Sequence, residues 1–280
     1  MMDGTPTGHG EAGVLRVVGL LDGRRFGRIS WSVRLVCTPD AAGRVAEAIA
    51  RRDDTVWVRL LSGGTEIACG VQAGGDQDGD ELLLKKLPRT PRIVAMSAHA
   101  TLHVFAGWRS RVAVLTDEQA ERIRPALPYE KEVFLSAQDH AMARVLAQDG
   151  RAGYGVLAAA GGWSQTAVRR RLGELRSSDT LRFDVEISSQ ALGFHAEAWL
   201  WMKVEPSALA SVGEAMAARP EADVVAATTG PTNLMAGVTC RDTHDLYRYL
   251  TERVAPLHGV RELETAPVIR TVKRVGTFLS

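Results

Sequence analysis

The stretch FGRISWSVRLVCTPDAAGRVAEAIARR (26–52) has a counterpart in LGFHAEAWLWMKVEPSALASVGEAMAARP (192–220). TVWVRLLSGGTEIACGVQA (55–73) then aligns without a gap with ADVVAATTGPTNLMAGVTC (222–240), 167 residues further on. Two copies of one unit, rather than a solenoid array, therefore organise the chain. In the first copy Trp31, Val33, Leu35 and Cys37 alternate with the period of a half-buried strand, and Ala198, Leu200, Met202 and Val204 repeat that face in the second. Pro39 and Pro206 end those strands. Helical stripes follow in Val45, Ala46 and Ile49 and in Leu209, Val212 and Met216. Ser62-Gly63-Gly64-Thr65 and Thr229-Gly230-Pro231-Thr232 read as hairpin turns. A second helix is predicted over Leu246–Val254 and, more weakly, over Asp78–Leu87, with last strands near Ile93–Val104 and Val260–Val275. Each copy is thus a βαββαβ unit with an antiparallel sheet, the ferredoxin-like arrangement of an α+β protein.

Outward from the repeat, the 280 residues carry 34 Lys and Arg against 33 Asp and Glu, a net charge of +1. That balance excludes a molecule-wide field that gathers nucleic acid, so any basic footprint has to be local. Hydrophobic residues make up 45% and charged residues 24%, the composition of a folded chain. No apolar run reaches the roughly 18–20 residues of a membrane span, and the start MMDGTPTGHGEAG lacks a signal peptide's basic and apolar segments. A cytoplasmic protein is expected. Cys37, Cys69 and Cys240 form no C-x-x-C, and Cys37 and Cys69 align with Val204 and Ala236, so they read as small buried hydrophobes.

Residues 129–183 have no partner in the first copy. Ser136 is positioned as the N-cap of a helix whose Ala141, Val145 and Leu146 face a core and which Gly150 closes. A short helix over Gly153–Ala160, the turn Gly161-Gly162-Trp163 and a third helix capped by Ser164 follow. Trp163 and Val168 have the spacing of a hydrophobic staple, and Val168, Leu172 and Leu175 mark the buried stripe. Thr166 and Arg170 point away from that stripe, with Arg169 and Arg171 on its flanks. From 136 to 182 seven arginines oppose four acids, a local charge of +3. Two helices joined by a glycine turn, the second with small polar residues first and arginines outward, suit entry into a DNA major groove.

GRAGYGVLAAAGGWSQTAVRRRLGELRSSDTLRFDVEI (150–187) followed by a βαββαβ unit resembles the Lrp/AsnC regulators, and more closely their long actinobacterial form, with two helix-turn-helix units and two RAM effector domains. The carriers are G-W-S-x-x-x-V-R-R-R-L (162–172) and the paired turns S-G-G-T-E-I (62–67) and T-G-P-T-N-L (229–234). The resemblance implies two ferredoxin-like RAM domains flanking a three-helix, winged helix-turn-helix domain. Its boundaries are a disordered N-terminus (1–13), a first RAM domain (14–110), a linker (111–128), the helix-turn-helix domain (129–183) and a second RAM domain (184–280). The first helix-turn-helix of the long form is missing, because LRVVGLLDGRRFG (15–27) matches the strand that would follow it. A misassigned start and a truncated relative both account for that.

By this resemblance the chain is a sequence-specific regulator of double-stranded DNA. Ser164, Gln165, Thr166 and Arg170 are expected at base edges and Arg169, Arg171 and Arg176 mainly at phosphates. A small-molecule effector, such as an amino acid, is expected at Ser62, Gly63, Gly64, Thr65 and Glu66 and at Thr228, Thr229, Gly230, Thr232 and Asn233, with Glu66 receiving an ammonium group. Where the family often has an acid in these turns, the copies carry Glu66 and Asn233. The two RAM copies are expected to pack sheet on sheet within one chain, with Trp31, Val33 and Leu35 and Trp199 and Trp201 as candidates for the buried or facing layers and the inward parity left open. Since such a chain has one reading helix, a two-fold operator calls for a homodimer or larger even oligomer. The alternatives are an effector-binding protein with degenerate DNA binding and a siroheme-decarboxylase-like enzyme. Against an enzyme, no H-E-x-x-H, G-x-S-x-G or P-loop is present, and His99 and His103 lie about 13 Å apart along a strand. Neither a cofactor nor a metal is expected.

Overall fold

The computed structural model describes residues 15–21, 29–73, 87, 89–107, 134–178, 180–274 and 277–278. In the first copy β2 (Ile29–Cys37), α1 (Ala42–Ala50), β3 (Thr55–Leu61), β4 (Glu66–Ala73) and β5 (Ile93–Ala106) follow one another. In the second, β7 (Ala196–Val204), α5 (Leu209–Ala217), β8 (Ala222–Thr228), β9 (Leu234–Cys240), α6 (Thr243–Arg248, continued as a π-helical turn over Tyr249–Val254) and β10 (Val260–Arg274) do the same. Ile29 and Ala196, Ala42 and Leu209, Thr55 and Ala222, and Ile93 and Val260 open corresponding elements, each 167 residues apart. The weaker helix expected over Asp78–Leu87 lies outside the described residues, except that Leu87 is buried in the first core.

Both last strands are long enough to serve two sheets. β5 pairs with β2 over its first half and with β8 of the other copy over its second, and β10 pairs with β7 and then with β3. The crossed registers match residue for residue: Thr101 faces Thr228 as Val268 faces Leu61, and Ala106 faces Val225 as Lys273 faces Val58. The strand order β3-β4-β2-β5-β8-β9-β7-β10 thereby closes on itself, with the short β11 (Thr277–Phe278) added beside β10. Closure removes the exposed edges that a lone four-stranded sheet presents.

Three apolar layers hold this arrangement. Val33, Leu35, Cys37, Val58, Ile67, Cys69 and Val71 pack under α1, with Trp31 partly buried beside them. Ala198, Leu200, Met202, Val204, Val225, Ala236 and Val238 pack under α5 and α6. Between the sheets lie Trp57, Leu61, Ala68, Trp199, Trp201, Val224, Ala226, Met235 and Ala266. The chain does pack sheet on sheet, and the structure decides the parity that the sequence left open. Trp31, Val33 and Leu35 face the helix side of their own sheet, and it is Trp57 that meets Trp199, ring centroids 4.5 Å apart. Alternation forces this outcome, because Trp199 aligns with Ser32 and not with Trp31 or Val33. All three cysteines are buried and none forms a disulfide, and burial pushes the Cys69 thiol up to about 12.

The segment between the copies forms α2 (Ala137–Gln148), α3 (Tyr154–Gly161) and α4 (Gln165–Ser177), followed by β6 (Leu181–Ile187). Their shared core is Met142, Leu146, Leu157, Ala158, Val168, Leu172, Leu175 and Leu181, with Trp163 packed against it. β6 pairs antiparallel with β1 (Leu15–Leu21) in unbroken register from Leu15–Ile187 to Leu21–Leu181. This ribbon carries the helices: a Cβ at Gly19 would lie 2.8 Å from the Leu146 side chain, so α2 seats on β1 only because that position is glycine. Among the described residues no helix is long and apolar enough to cross a membrane.

Candidate functional site

α4 is started by local chemistry. The Ser164 hydroxyl accepts a hydrogen bond from the Ala167 amide at 3.2 Å, a cap that contributes about 1 kcal/mol. The preceding turn needs Gly162, whose φ of 67° is left-handed and lets α3 end and α4 leave at a new angle. α2 starts with a reciprocal cap, in which the Asp139 amide donates to Ser136 Oγ at 3.2 Å and the Ser136 amide to Asp139 Oδ2 at 2.8 Å. With Val168, Leu172 and Leu175 turned inward, Ser164, Gln165, Thr166, Arg169, Arg170 and Arg176 are exposed. Arg170 lies 3.7 Å from Glu174 and Arg176 5.8 Å from the Phe183 ring centroid, loose contacts for exposed side chains.

Arg171 departs from the expected set. Its Nε donates to Asp139 Oδ1 at 2.9 Å, Nη1 to Glu174 at 2.9 Å, and Nη2 to the Phe134 carbonyl at 2.7 Å and Asp139 Oδ2 at 3.0 Å. Burial alone would raise the Asp139 carboxyl, yet the Arg171 and Ser136 hydrogen bonds hold it below the usual carboxylate range. Arg171 fastens α4 to the start of α2, and its guanidinium is committed inside the helical unit.

The two turns between the middle strands are not equal. In the first, Ser62, Gly63 and Gly64 all have positive φ, and a Cβ at Gly63 would meet nothing within 4 Å. In the second, a Cβ at Gly230 would fall 2.2 Å from His99 Nδ1. Thr229 exchanges two bonds with Ala100 of β5, amide to carbonyl and amide to hydroxyl, both at 2.9 Å. The side chains expected to select a ligand are engaged elsewhere. Glu66 accepts from Arg34 Nε and, at 2.9 Å, from the Ser62 hydroxyl, so its charge is spent inside the fold. The Asn233 amide both accepts from and donates to the Val204 backbone at 2.8 Å. Thr228 Oγ1 donates to the Thr232 carbonyl at 3.1 Å, and Thr65 Oγ1 to the Ser62 carbonyl at 3.2 Å.

One polar group in the layer between the sheets was not anticipated. Arg34, on β2, lies with its guanidinium carbon 4.1 Å from the Trp201 ring centroid and donates to both Glu66 and Glu264. Hydrogen bonding to Glu264, then to Glu66, holds this guanidinium firmly charged against the opposing effect of burial. A sequence signal existed: Arg34 is a cation on the strand face whose counterpart in the other copy is Trp201. Among the described residues no group of three or more His, Cys, Asp and Glu side chains could hold a metal.

Residues 197–278 match the model of the Lrp/AsnC ligand binding domain. An uncharacterized HTH-type transcriptional regulator of Pyrococcus abyssi is 30% identical over 149 residues, 53% of this chain and 94% of the relative. One of Pyrococcus horikoshii is 29% identical over 151 residues, 54% of this chain and 95% of the relative. The crystal structure of the siroheme decarboxylase NirDL superposes with a TM-score of 0.62 at 13% identity, covering 95% of this chain and 79% of that one. At that identity the likeness is one of fold alone.

Proposed function

The chain belongs to the Lrp/AsnC family of transcriptional regulators, and we propose that it binds double-stranded DNA through α3 and α4 as a winged helix-turn-helix. One observation carries this reading. The N-terminal turn of α4 presents Ser164, Gln165 and Thr166 together with Arg169 and Arg170 on one exposed face, on a helix anchored from behind by Val168, Leu172, Leu175 and the Arg171–Asp139 pair. Small polar groups at the start of the helix suit base edges, and the flanking arginines, with Arg176, suit phosphates. β6, paired with β1, is the wing, and the closed double sheet is the platform that holds it.

The two RAM copies already form a sandwich within one chain, and among the described residues each chain offers one reading helix, α4. A two-fold operator then takes two chains, and a homodimer is the smallest assembly that fits. A small molecule bound beside the glycine turns at 62–66 and 228–233 is the proposed control, with backbone amides rather than Glu66 or Asn233 as its contacts. The test is DNA binding measured against salt, joined to genome-wide mapping of bound sites. A specific site several orders of magnitude tighter than bulk DNA, with a steep salt slope, is expected. Equal, weak affinity for all sequences would leave an effector-binding protein without operator recognition.

A further inference from the structure

Arg34 has the surroundings of a carboxylate receptor. Nη1 donates to Glu264 Oε2 at 2.7 Å while Nη2 donates to the other Glu264 oxygen, the two-pronged geometry in which a guanidinium holds a carboxylate. Its π-face rests on Trp201, and Nε is held from behind by Glu66, which the Ser62 hydroxyl orients in turn. The two acids stand differently. The Glu66 side chain is 8% exposed and belongs to the interior, whereas that of Glu264 is 51% exposed and reaches Arg34 from the rim. Glu66 alone balances the charge of Arg34, so Glu264 can turn into water without stranding a buried ion.

We propose that Arg34, seated on Trp201 and backed by Glu66, is a binding site for the carboxylate of a small metabolite, which Glu264 occupies in cis until the ligand displaces it. The chemistry specifies the carboxylate end, through the bidentate fork and the aromatic floor. It does not call for an ammonium group, because Glu66 is already engaged. There is one such site per chain: the positions corresponding to Arg34, Glu66 and Glu264 in the opposite copies are Trp201, Asn233 and Ser97, which provide no cation. The site lies between the two RAM copies and supplies an effector seat for the regulatory reading. Occupancy of Arg34 does not itself require that α4 bind DNA.

The experiment is calorimetric titration of the full chain with sodium acetate, L-leucine and 2-oxoglutarate at constant ionic strength, with chloride as the control anion. A tethered competitor acts at an effective concentration in the millimolar range, so Glu264→Gln should tighten at least one probe by about tenfold. Arg34→Lys keeps a charge opposite Glu66 but loses the fork, and should weaken the same probe by at least about tenfold. No binding by the Glu264→Gln chain, equal affinity in Arg34→Lys, or chloride binding as well as the carboxylates would each overturn the proposal. DNA affinity measured on the same samples separates the two readings. Carboxylate binding at Arg34 without DNA binding sinks the regulator and spares this site, and the converse result does the reverse.

Discussion

The guanidinium carbon of Arg34 lies 4.1 Å from the centroid of the Trp201 ring, and the two residues occupy the same position of the two copies, 167 residues apart. Corresponding residues touch only where the pseudo-two-fold axis passes, so this contact marks the axis of the intramolecular sandwich. A pair of identical copies would bring arginine to arginine or tryptophan to tryptophan here. Divergence within one chain has replaced that with a cation on an aromatic face, and the Glu264 and Glu66 carboxylates complete it.

Complementarity at the axis predicts non-additive mutants. Trp201→Arg sets two guanidinium groups face to face in a mostly buried layer and should lower stability by a few kcal/mol. Trp201→Arg with Arg34→Trp restores an unlike pair and should recover part of that loss. Chemical denaturation of the four-member cycle measures the coupling, and additive losses would show that the contact is incidental.

Arg170 and Arg176 are expected to separate sequence reading from charge. Arg170→Ala should cost roughly 1–3 kcal/mol at a specific operator if it grips a guanine with both nitrogens. Arg176→Ala should weaken all sequences alike and flatten the salt slope by about one unit. Fluorescence anisotropy against specific and scrambled duplexes at several salt concentrations resolves the two, and full affinity in Arg169→Ala with Arg170→Ala would exclude α4 as the reading element.

Arg171→Gln is expected to act on stability instead. It leaves the Asp139 carboxylate buried in the first turn of α2 without its cation, at a cost of about 3 kcal/mol to the helical unit. The pH dependence has a definite sign. Asp139 titrates below its ordinary range in the folded chain, so the pair stabilises above the unfolded value near 3.9 and that contribution fades as pH falls through the lower folded value. Acid unfolding of the wild type should show this loss, and the variant, which keeps only the Ser136 hydrogen bonds, should show less of it.

Gly70 and Gly237 occupy matching places in β4 and β9, but their neighbours differ. A Cβ at Gly70 would fall 2.2 Å from Trp57 Nε1, and Trp57 is pinned against Trp199. At Gly237 the nearest atoms, on Trp199 and Val224, are 3.0 Å away. Gly70→Ala should therefore destabilise by about 1–3 kcal/mol or more, clearly beyond Gly237→Ala, as thermal unfolding of the two variants will show.

The thiols give a simple check on the packing of both copies. Cys37, Cys69 and Cys240 are buried, and burial raises the first two above the ordinary thiol value. The native chain should leave a chromogenic disulfide reagent unreacted at pH 8, and the unfolded chain should consume three equivalents. Rapid reaction of a native thiol would mean that a strand opens locally.

Periodicity and turn residues alone located the βαββαβ order of the second copy, the four strands and first helix of the first, the three helices between the copies and the inward stripe Val168, Leu172 and Leu175, because these depend on residues close along the chain. The same local logic found the Ser136 and Ser164 caps. What lay beyond it was every contact between copies: that Trp31 faces α1 while Trp199 faces Trp57, that β5 and β10 each cross to the other sheet, and that Arg171 turns inward to Asp139. A strand's alternation specifies that its two faces differ but not which one another sheet covers, since both faces here carry large apolar residues. The fate of Glu66 was hidden for the same reason. Its partner Arg34 is a neighbour only once β2 and β4 pair, and Glu264 joins them only when β10 closes the sandwich. Local sequence determined the elements and their two-fold repetition; the pairing of two nearly equal surfaces, decided in three dimensions, determined which charges remain free to meet a ligand.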